Sequence, residues 1–215
     1  MVVEYFGIPG SGKTYQANLY KKELERKGIA YIDLSRWKGT PLWLKIFFKV
    51  TDKLFVVWPK YRNMRGGLRN LCKDAYSKKT KYLPFSVNYC IDRIISSVFL
   101  EDVFGNCNKI AINDEGLMQW VIFLNVQYGI EISDILLYIK PFNSQVSMTF
   151  IDTQVSNALD NIRKRNRHIC PMDEMEDMAL KEYLEDFYSA CVHTVSLLNS
   201  ERIMLNCTKT IIGVP

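Results

Sequence analysis

The sequence predicts an α/β fold, a mostly parallel five-stranded sheet covered by helices on both faces. Three observations predict it. Residues Gly7 to Thr14 read Gly-Ile-Pro-Gly-Ser-Gly-Lys-Thr, the pattern G-x-x-x-x-G-K-[ST], set between an apolar run and a helical period. Five short runs rich in β-branched and aromatic residues alternate with helical stretches. Asp33, Asp114 and Asp152 each close one of those runs, at the strand ends where open α/β sheets bind ligands.

Val2-Val3-Glu4-Tyr5-Phe6 reads as a buried first strand. After Thr14 the chain turns helical, with Leu19, Tyr20 and Leu24 among charged residues and Gly28 as its stop. Ile29 to Leu34 is a second strand. Residues 42–58 predict a helix with Lys45, Lys49, Asp52 and Lys53 on one face. Leu42, Trp43, Ile46, Phe47, Val50, Leu54 and Val57 cover much of its other face. Residues 59–82 are basic, and Gly66-Gly67 is expected to break them into short helices or loops. Ser86 to Val103 has a clean helical period, and Lys109 to Asn113 is a strand ending in Asp114-Glu115-Gly116. Leu117 to Val126 and Ile132 to Ile139 predict two buried helices. Val146 to Asp152 is the fourth strand, and Thr153 begins a helix that runs into Arg163, Lys164, Arg165 and Arg167. A helix around Leu180 to Leu198 and a short strand at Ile203 to Asn206 complete the pattern.

A chain of 215 residues suits one α/β domain with an insertion. No run of about 18 apolar residues is present, so no membrane span is expected. The first residues enter a strand at once, which leaves no room for a signal peptide and predicts a cytoplasmic protein. The six cysteines have no paired spacing and read as reduced thiols. Two histidines, His168 and His193, argue against a zinc site. The net charge of +5 is uneven: Trp37 to Lys81 holds 12 Lys/Arg against two Asp/Glu. Charge alone would allow nucleic-acid binding, but no recognition motif accompanies it.

The chemistry of residues 7–14 follows from their types. Gly7, Gly10 and Gly12 let the backbone curl so that its N–H groups face a phosphate, and the helix end adds its partial positive charge. Pro9, Gly10, Ser11, Gly12, Lys13, Thr14 and Tyr15 thus form the candidate ATP-binding segment. Lys13 would reach the β- and γ-phosphates, and the Thr14 hydroxyl would ligate Mg²⁺. Asp114-Glu115 suits the acidic position that supports that metal, with Asp114 as the metal residue. The neighbouring carboxylate, or Asp33, is the candidate base or acceptor anchor. Acidic residues at a helix start are also stabilised by its dipole alone. Arg163, Arg165 and Arg167 read either as a solvated helix end or as a lid over the triphosphate, at about residues 160–172, that stabilises the moving charge.

The loop, the strand ending in Asp-Glu, the strand Thr149-Phe150-Ile151-Asp152 and the helix with an arginine-rich end together resemble the thymidylate kinase-like and nucleoside/nucleotide kinase group of P-loop proteins. The resemblance implies a P-loop NTPase three-layer sandwich with sheet order 2-3-1-4-5. It also implies Asp33 and Arg36 near an acceptor site, a lid at 163–168, and a base-contacting loop near Cys207-Thr208-Lys209. Arg163 and Thr208 are therefore further nucleotide-binding candidates. Two departures stand out. Asp114 is followed by Glu115-Gly116 where thymidylate kinases carry Arg and an aromatic residue, and Asn161-Ile162 replaces Arg-Ile before the lid. An acceptor other than dTMP is implied.

Residues 38–81 lie where this group builds its acceptor site, and three readings stay open. Lys60, Arg62, Arg65, Arg69 and Lys73 would receive an anionic acceptor. Residues 42–58, with Trp43, Phe47, Phe48, Phe55 and Trp58 among lysines, would touch a membrane surface. Or the apolar face packs on the core and the lysines are solvated. The expected function is an ATP-dependent, Mg²⁺-requiring phosphotransferase acting on a hydroxyl or phosphate of a small acceptor. The alternative is a nucleotide-controlled binding protein acting at a partner or membrane. A homodimer is a further expectation from the resemblance.

Overall fold

A computed structural model describes residues 1–34, 58–139, 146–165 and 170–200, together with the backbone of 205–209. Five parallel strands are β1 (Val2–Phe6), β2 (Tyr31–Asp33), β3 (Ile110–Asn113), β4 (Val146–Asp152) and β5 (Leu205–Lys209). They lie in the order β2-β3-β1-β4-β5. The four strands with described side chains make the run 2-3-1-4, and the backbone of β5 pairs with β4 from Met148 opposite Leu205 to Asp152 opposite Lys209.

The helices are α1 (Lys13–Arg26), α2 (Pro59–Leu71), α3 (Val87–Gly105), α4 (Leu117–Tyr128), α5 (Ile132–Ile139), α6 (Val155–Arg165) and α7 (Asp177–Ser200), with short 3-10 turns at Lys73–Ser77 and Pro171–Glu174. Among the described residues no helix is long and apolar enough to cross a membrane.

Strand alternation divides the interior. Val2 and Phe6 of β1 join the main core with α3, α4 and α7. Val3 and Tyr5 point the other way, into a smaller cluster under α1 with Ala17, Leu24, Ile112 and Ile151. The buried stripe of α1 is Lys13, Ala17, Lys21 and Leu24, near-helical repeats of one face. Leu19 lies off that stripe and is exposed. The helix ends as expected at Gly28, which takes φ 67°.

Helix α4 is apolar nearly all round and buried within this chain, so no second copy is needed to cover it. Ser86 caps α3 by accepting the Tyr89 N–H at 3.2 Å. Three boundaries differ from expectation. Thr153 stays outside α6, because its hydroxyl donates to Ser11 O at 3.2 Å. The last strand lies at Leu205–Lys209, two residues later than its apolar run suggests. Gly66-Gly67 do not break the basic stretch: both lie inside α2.

Helix α2 buries Tyr61, Met64 and Leu68, an i, i+3, i+7 stripe set against α3. Its cations meet the acids of that neighbour. Lys60 Nζ lies 2.5 Å from Asp102 Oδ2 and Arg65 Nη2 lies 2.7 Å from Asp92 Oδ1. Arg69 Nε donates to Asn88 Oδ1 at 3.2 Å. The expected helix at 42–58 lies outside the described residues except for Trp58, as do Arg36 and Arg167.

Candidate active site

The loop between β1 and α1 is held in an open curve by α6 and by the end of β4. Gly10 takes φ 82° and Gly12 φ 89°, conformations that side chains resist. At Gly10 a Cβ would also lie 2.4 Å from the Ala158 carbonyl oxygen of α6. Asn161, one turn further along α6, donates Nδ2 to Gly10 O at 3.0 Å. Thr153 holds Ser11 from β4's end. Asn161 therefore acts as a clamp on the loop, at the position where the resemblance leads one to expect arginine.

Lys13 is folded into the loop it follows. Its Nζ donates to Gly7 O at 2.9 Å and to Ile8 O at 3.0 Å. Burial lowers its pKa, and the Glu115 and Asp114 carboxylates work against that shift while the Arg165 guanidinium adds to it. One ammonium thus senses both acids after β3 and the arginine at the end of α6. Thr14 lies beside them: its Oγ1 donates to Asp114 Oδ2 at 2.8 Å, across 100 residues of sequence.

Two hard oxygens this close, at the start of α1 beside the curled loop, fit Mg²⁺. That ion takes one or two protein oxygens and leaves its other positions to phosphates and water. The fit rests on Thr14 and Asp114. Glu115 is exposed beside them, with its N–H bonded to Asn113 Oδ1 at 3.3 Å.

Other expected residues go elsewhere. Asp33 is engaged by Lys21, Nζ to Oδ2 2.6 Å, on the α1 side of the sheet. Lys21 is two turns along α1 from Lys13, about 12 Å at the helical rise, so Asp33 serves α1 rather than the phosphate end. The Arg163 guanidinium is spent on the start of α7. It donates to Asp177 Oδ1 at 2.7 Å, to Asp173 O at 2.9 Å and to Met175 O. Arg163 is therefore a clasp between α6 and α7 and does not face the loop. Arg165 is exposed at the end of α6. Pro9 is half-buried and Tyr15 exposed on the loop's outer side. Thr208 contributes only its backbone to the description, in β5.

An unforeseen cluster adjoins the first turn of α4. The Arg93 guanidinium lies 4.7 Å from the centre of the Trp120 ring. Tyr89 and Phe123 pack edge-on and tilted against the same ring, at 5.5 Å and 5.7 Å. Arg93 Nε, Trp120 Nε1 and the Gln119 side-chain oxygen are buried without a hydrogen-bond partner. Unpaired polar atoms among stacked rings are costly unless something completes them. In sequence these residues read only as the faces of two helices.

No family model matches this chain, and no curated protein matches it. Solved structures do. A deoxyadenosine kinase from M. mycoides with bound dATP superposes with a TM-score of 0.52 and 15% identity, covering 97% of this chain and 91% of that one. The same kind of enzyme with the products dCMP and a flexible dCDP gives 0.53 and 16%, over 97% and 90%. A third, with bound dCTP, gives 0.50 and 15%, over 100% and 92%. The likeness is to nucleoside kinases and carries nothing for the thymidylate kinase-like group in particular. At this identity it is a likeness of fold: the chain has the fold of a P-loop kinase.

Proposed function

We propose that this protein is an ATP-dependent, Mg²⁺-requiring kinase whose acceptor is a nucleoside or a similarly small hydroxyl compound. The observation that carries the reading is the 2.8 Å contact between Thr14 Oγ1 and Asp114 Oδ2 beside the Lys13 ammonium. Phosphoryl transfer asks mainly for positioning and charge stabilisation, and these groups supply both.

In this reading the N–H groups around Gly10 and Gly12 hold the triphosphate, with Pro9, Ser11 and Tyr15 flanking it. Lys13 leaves Gly7 O and Ile8 O for the β- and γ-phosphates. Thr14 and Asp114 would hold Mg²⁺, which neutralises phosphate charge. Glu115, exposed next to them, takes the proton of the acceptor hydroxyl as its oxygen attacks the γ-phosphorus and the bond to the β-phosphate oxygen breaks. Arg165 and Arg167 stabilise the transferring group. Asp33 and Arg163, engaged by Lys21 and Asp177, support the elements on either side. Thr208 is kept as a base-side residue.

The acceptor is assigned to the side of Arg93, Gln119 and Trp120. Their buried, unpartnered polar atoms would suit the edge of a heterocyclic base once the site opens to admit it, and the rings suit its face. The names of the similar structures add deoxynucleosides to the panel to be tried. Purified protein and the Lys13→Ala variant are assayed side by side for ATP consumption with Mg²⁺. The acceptors are deoxynucleosides, nucleosides, nucleoside monophosphates, sugars and sugar phosphates. Acceptor-dependent ADP release that disappears in the variant is expected. Tight ATP binding with no acceptor-stimulated turnover would sink the kinase and favour a nucleotide-controlled binding protein.

A further inference from the structure

Gly116 occupies the N-cap position of α4 and has no side chain to give that helix's first amides. The cap arrives from across the sheet. Glu4, in the middle of β1, turns its carboxyl onto the helix end: Oε1 accepts the Met118 N–H at 2.7 Å, and the neighbouring Leu117 N–H favours the same carboxylate. Glu4 is 0% exposed. It has room only because residue 116 is glycine, since a Cβ there would lie 2.2 Å from the Glu4 carboxyl carbon. The glycine of Asp114-Glu115-Gly116 thus answers to a strand residue more than a hundred positions earlier.

A second buried acid completes the arrangement. Glu101 of α3 is 4% exposed and its carboxyl interacts with that of Glu4, Glu101 Oε1 and Glu4 Oε2 being buried with no other hydrogen-bond partner. Two carboxylates have no proton to share, so one partner must be the neutral acid. Burial raises the Glu4 pKa as well, but its N–H donors and the positive end of a helix work against that and favour its ionised form. Glu101 faces Glu4, with Asp102 next to it on α3. Asn113, opposite Glu4 on β3, spends its oxygen on the Glu115 N–H. The proton therefore resides on Glu101, whose pKa burial and the Glu4 charge push well above the usual carboxylate range.

We propose that Glu4, packed against the buried carboxyl of Glu101, is a positioning residue that caps α4 and thereby fixes Asp114 and Glu115 against Thr14. The positioning part rests on the reading of Asp114 as a magnesium support. The cap lies within four residues of Asp114, so loss of the first turn of α4 would release the Asp114 carboxyl from its 2.8 Å contact.

Glu4→Ala removes the acceptor. Glu4→Gln keeps an oxygen for the two amides and offers an N–H to Glu101. Amide exchange across residues 113–118 should quicken about fivefold or more in Glu4→Ala, the usual scale of a lost cap, and stay near wild type in Glu4→Gln. Should Glu4→Ala fail to fold, Glu4→Asp withdraws the same oxygen by one methylene. With a fluorescent ATP analogue as probe, the Mg²⁺ concentration that half-saturates the gain in binding should rise about tenfold or more in Glu4→Ala. Binding without Mg²⁺ should not change.

The proton has its own signature. A raised pKa in the fold gives a share of stability that is complete below the unfolded value of about 4.3 and declines as pH rises toward the folded one. Glu101→Gln needs no proton, so its unfolding midpoint relative to wild type should be lowest near pH 4 and rise steadily toward pH 8. Unchanged exchange at 113–118, an unchanged Mg²⁺ requirement, or a Glu101→Gln midpoint that tracks wild type at every pH would each overturn the proposal. A wild type that binds no nucleotide would remove the magnesium reading and the positioning claim with it. The exchange and pH results would still report on the cap alone.

Discussion

The phosphate end and the arginine-rich end of this molecule began from equally suggestive stretches of sequence and came out differently. From Gly7 to Thr14 the groups that matter are backbone N–H groups and two side chains that follow them directly. In the structure Lys13 and Thr14 stand where the spacing puts them. In the arginine run the groups that matter are long side chains, and their partners lie elsewhere in the chain. Arg163 is spent on Asp177 and two carbonyl oxygens of the intervening turn. Lys60 and Arg65 of α2 are likewise spent on Asp102 and Asp92. A loop whose chemistry is its backbone carries its geometry in its own residues. A cluster of cations carries only its charge.

The largest test of that contrast is Lys13→Ala. Its ammonium is aimed only at the loop and its acids, so turnover should fall about 1000-fold or more, a scale set by single cations in phosphoryl transfer. The unfolding temperature should stay close to wild type, because the buried cation gives up burial cost along with two bonds to carbonyls. A large drop in that temperature with the rate retained would make Lys13 a structural residue.

The next test splits the arginines. Arg165→Ala should lower kcat about 1000-fold, by the same reasoning, a larger effect than any on stability. Arg163→Ala should do the reverse. Losing charge-assisted bonds to the start of α7 should cost about 1–3 kcal/mol, or a few degrees in unfolding temperature, with kcat changed far less. If Arg163→Ala removes activity in a protein that unfolds as wild type does, the clasp is not its main role. A step smaller, Asp114→Asn should raise the Mg²⁺ needed for half-maximal rate by roughly 10- to 100-fold, and excess Mg²⁺ should restore most of it.

What could be read in advance follows the same division. The strands β3 and β4 and the helix Ile132–Ile139 were legible because periodicity is local. The contact of Thr14 with Asp114 was legible because a motif and a strand end together imply it. Asp33 read as a site acid because it ends a strand; nothing in its neighbourhood shows that Lys21, on the far side of a turn, will take it. Asn161 stood out only as a departure from an expected arginine, and Glu4 gave no signal. Each acts on a backbone that only the fold brings near, Gly10 in one case and the first amides of α4 in the other. Arg93 and Trp120 read as helix faces for the same reason.

The smallest expected effect concerns the two glycines that sequence reads as a break. Both lie inside α2, where glycine costs helix stability relative to alanine by about 1 kcal/mol. Around Gly66 an added Cβ meets nothing within 4 Å. Gly66→Ala should therefore stabilise the protein by roughly 0.5–1 kcal/mol, a rise of a few degrees in unfolding temperature at most. Gly67 is different, because its Cβ would lie 2.5 Å from a ring carbon of Tyr138 on α5. The ring must move before alanine fits, and the packing of α2 on α5 is what it leaves. Gly67→Ala should gain less than Gly66→Ala, or lose stability. Tyr138→Ala in the same chain should restore the full gain from Gly67→Ala. Equal gains at both positions in the presence of Tyr138 would mean that the ring yields freely. In that case Gly67 would be there for no reason of packing.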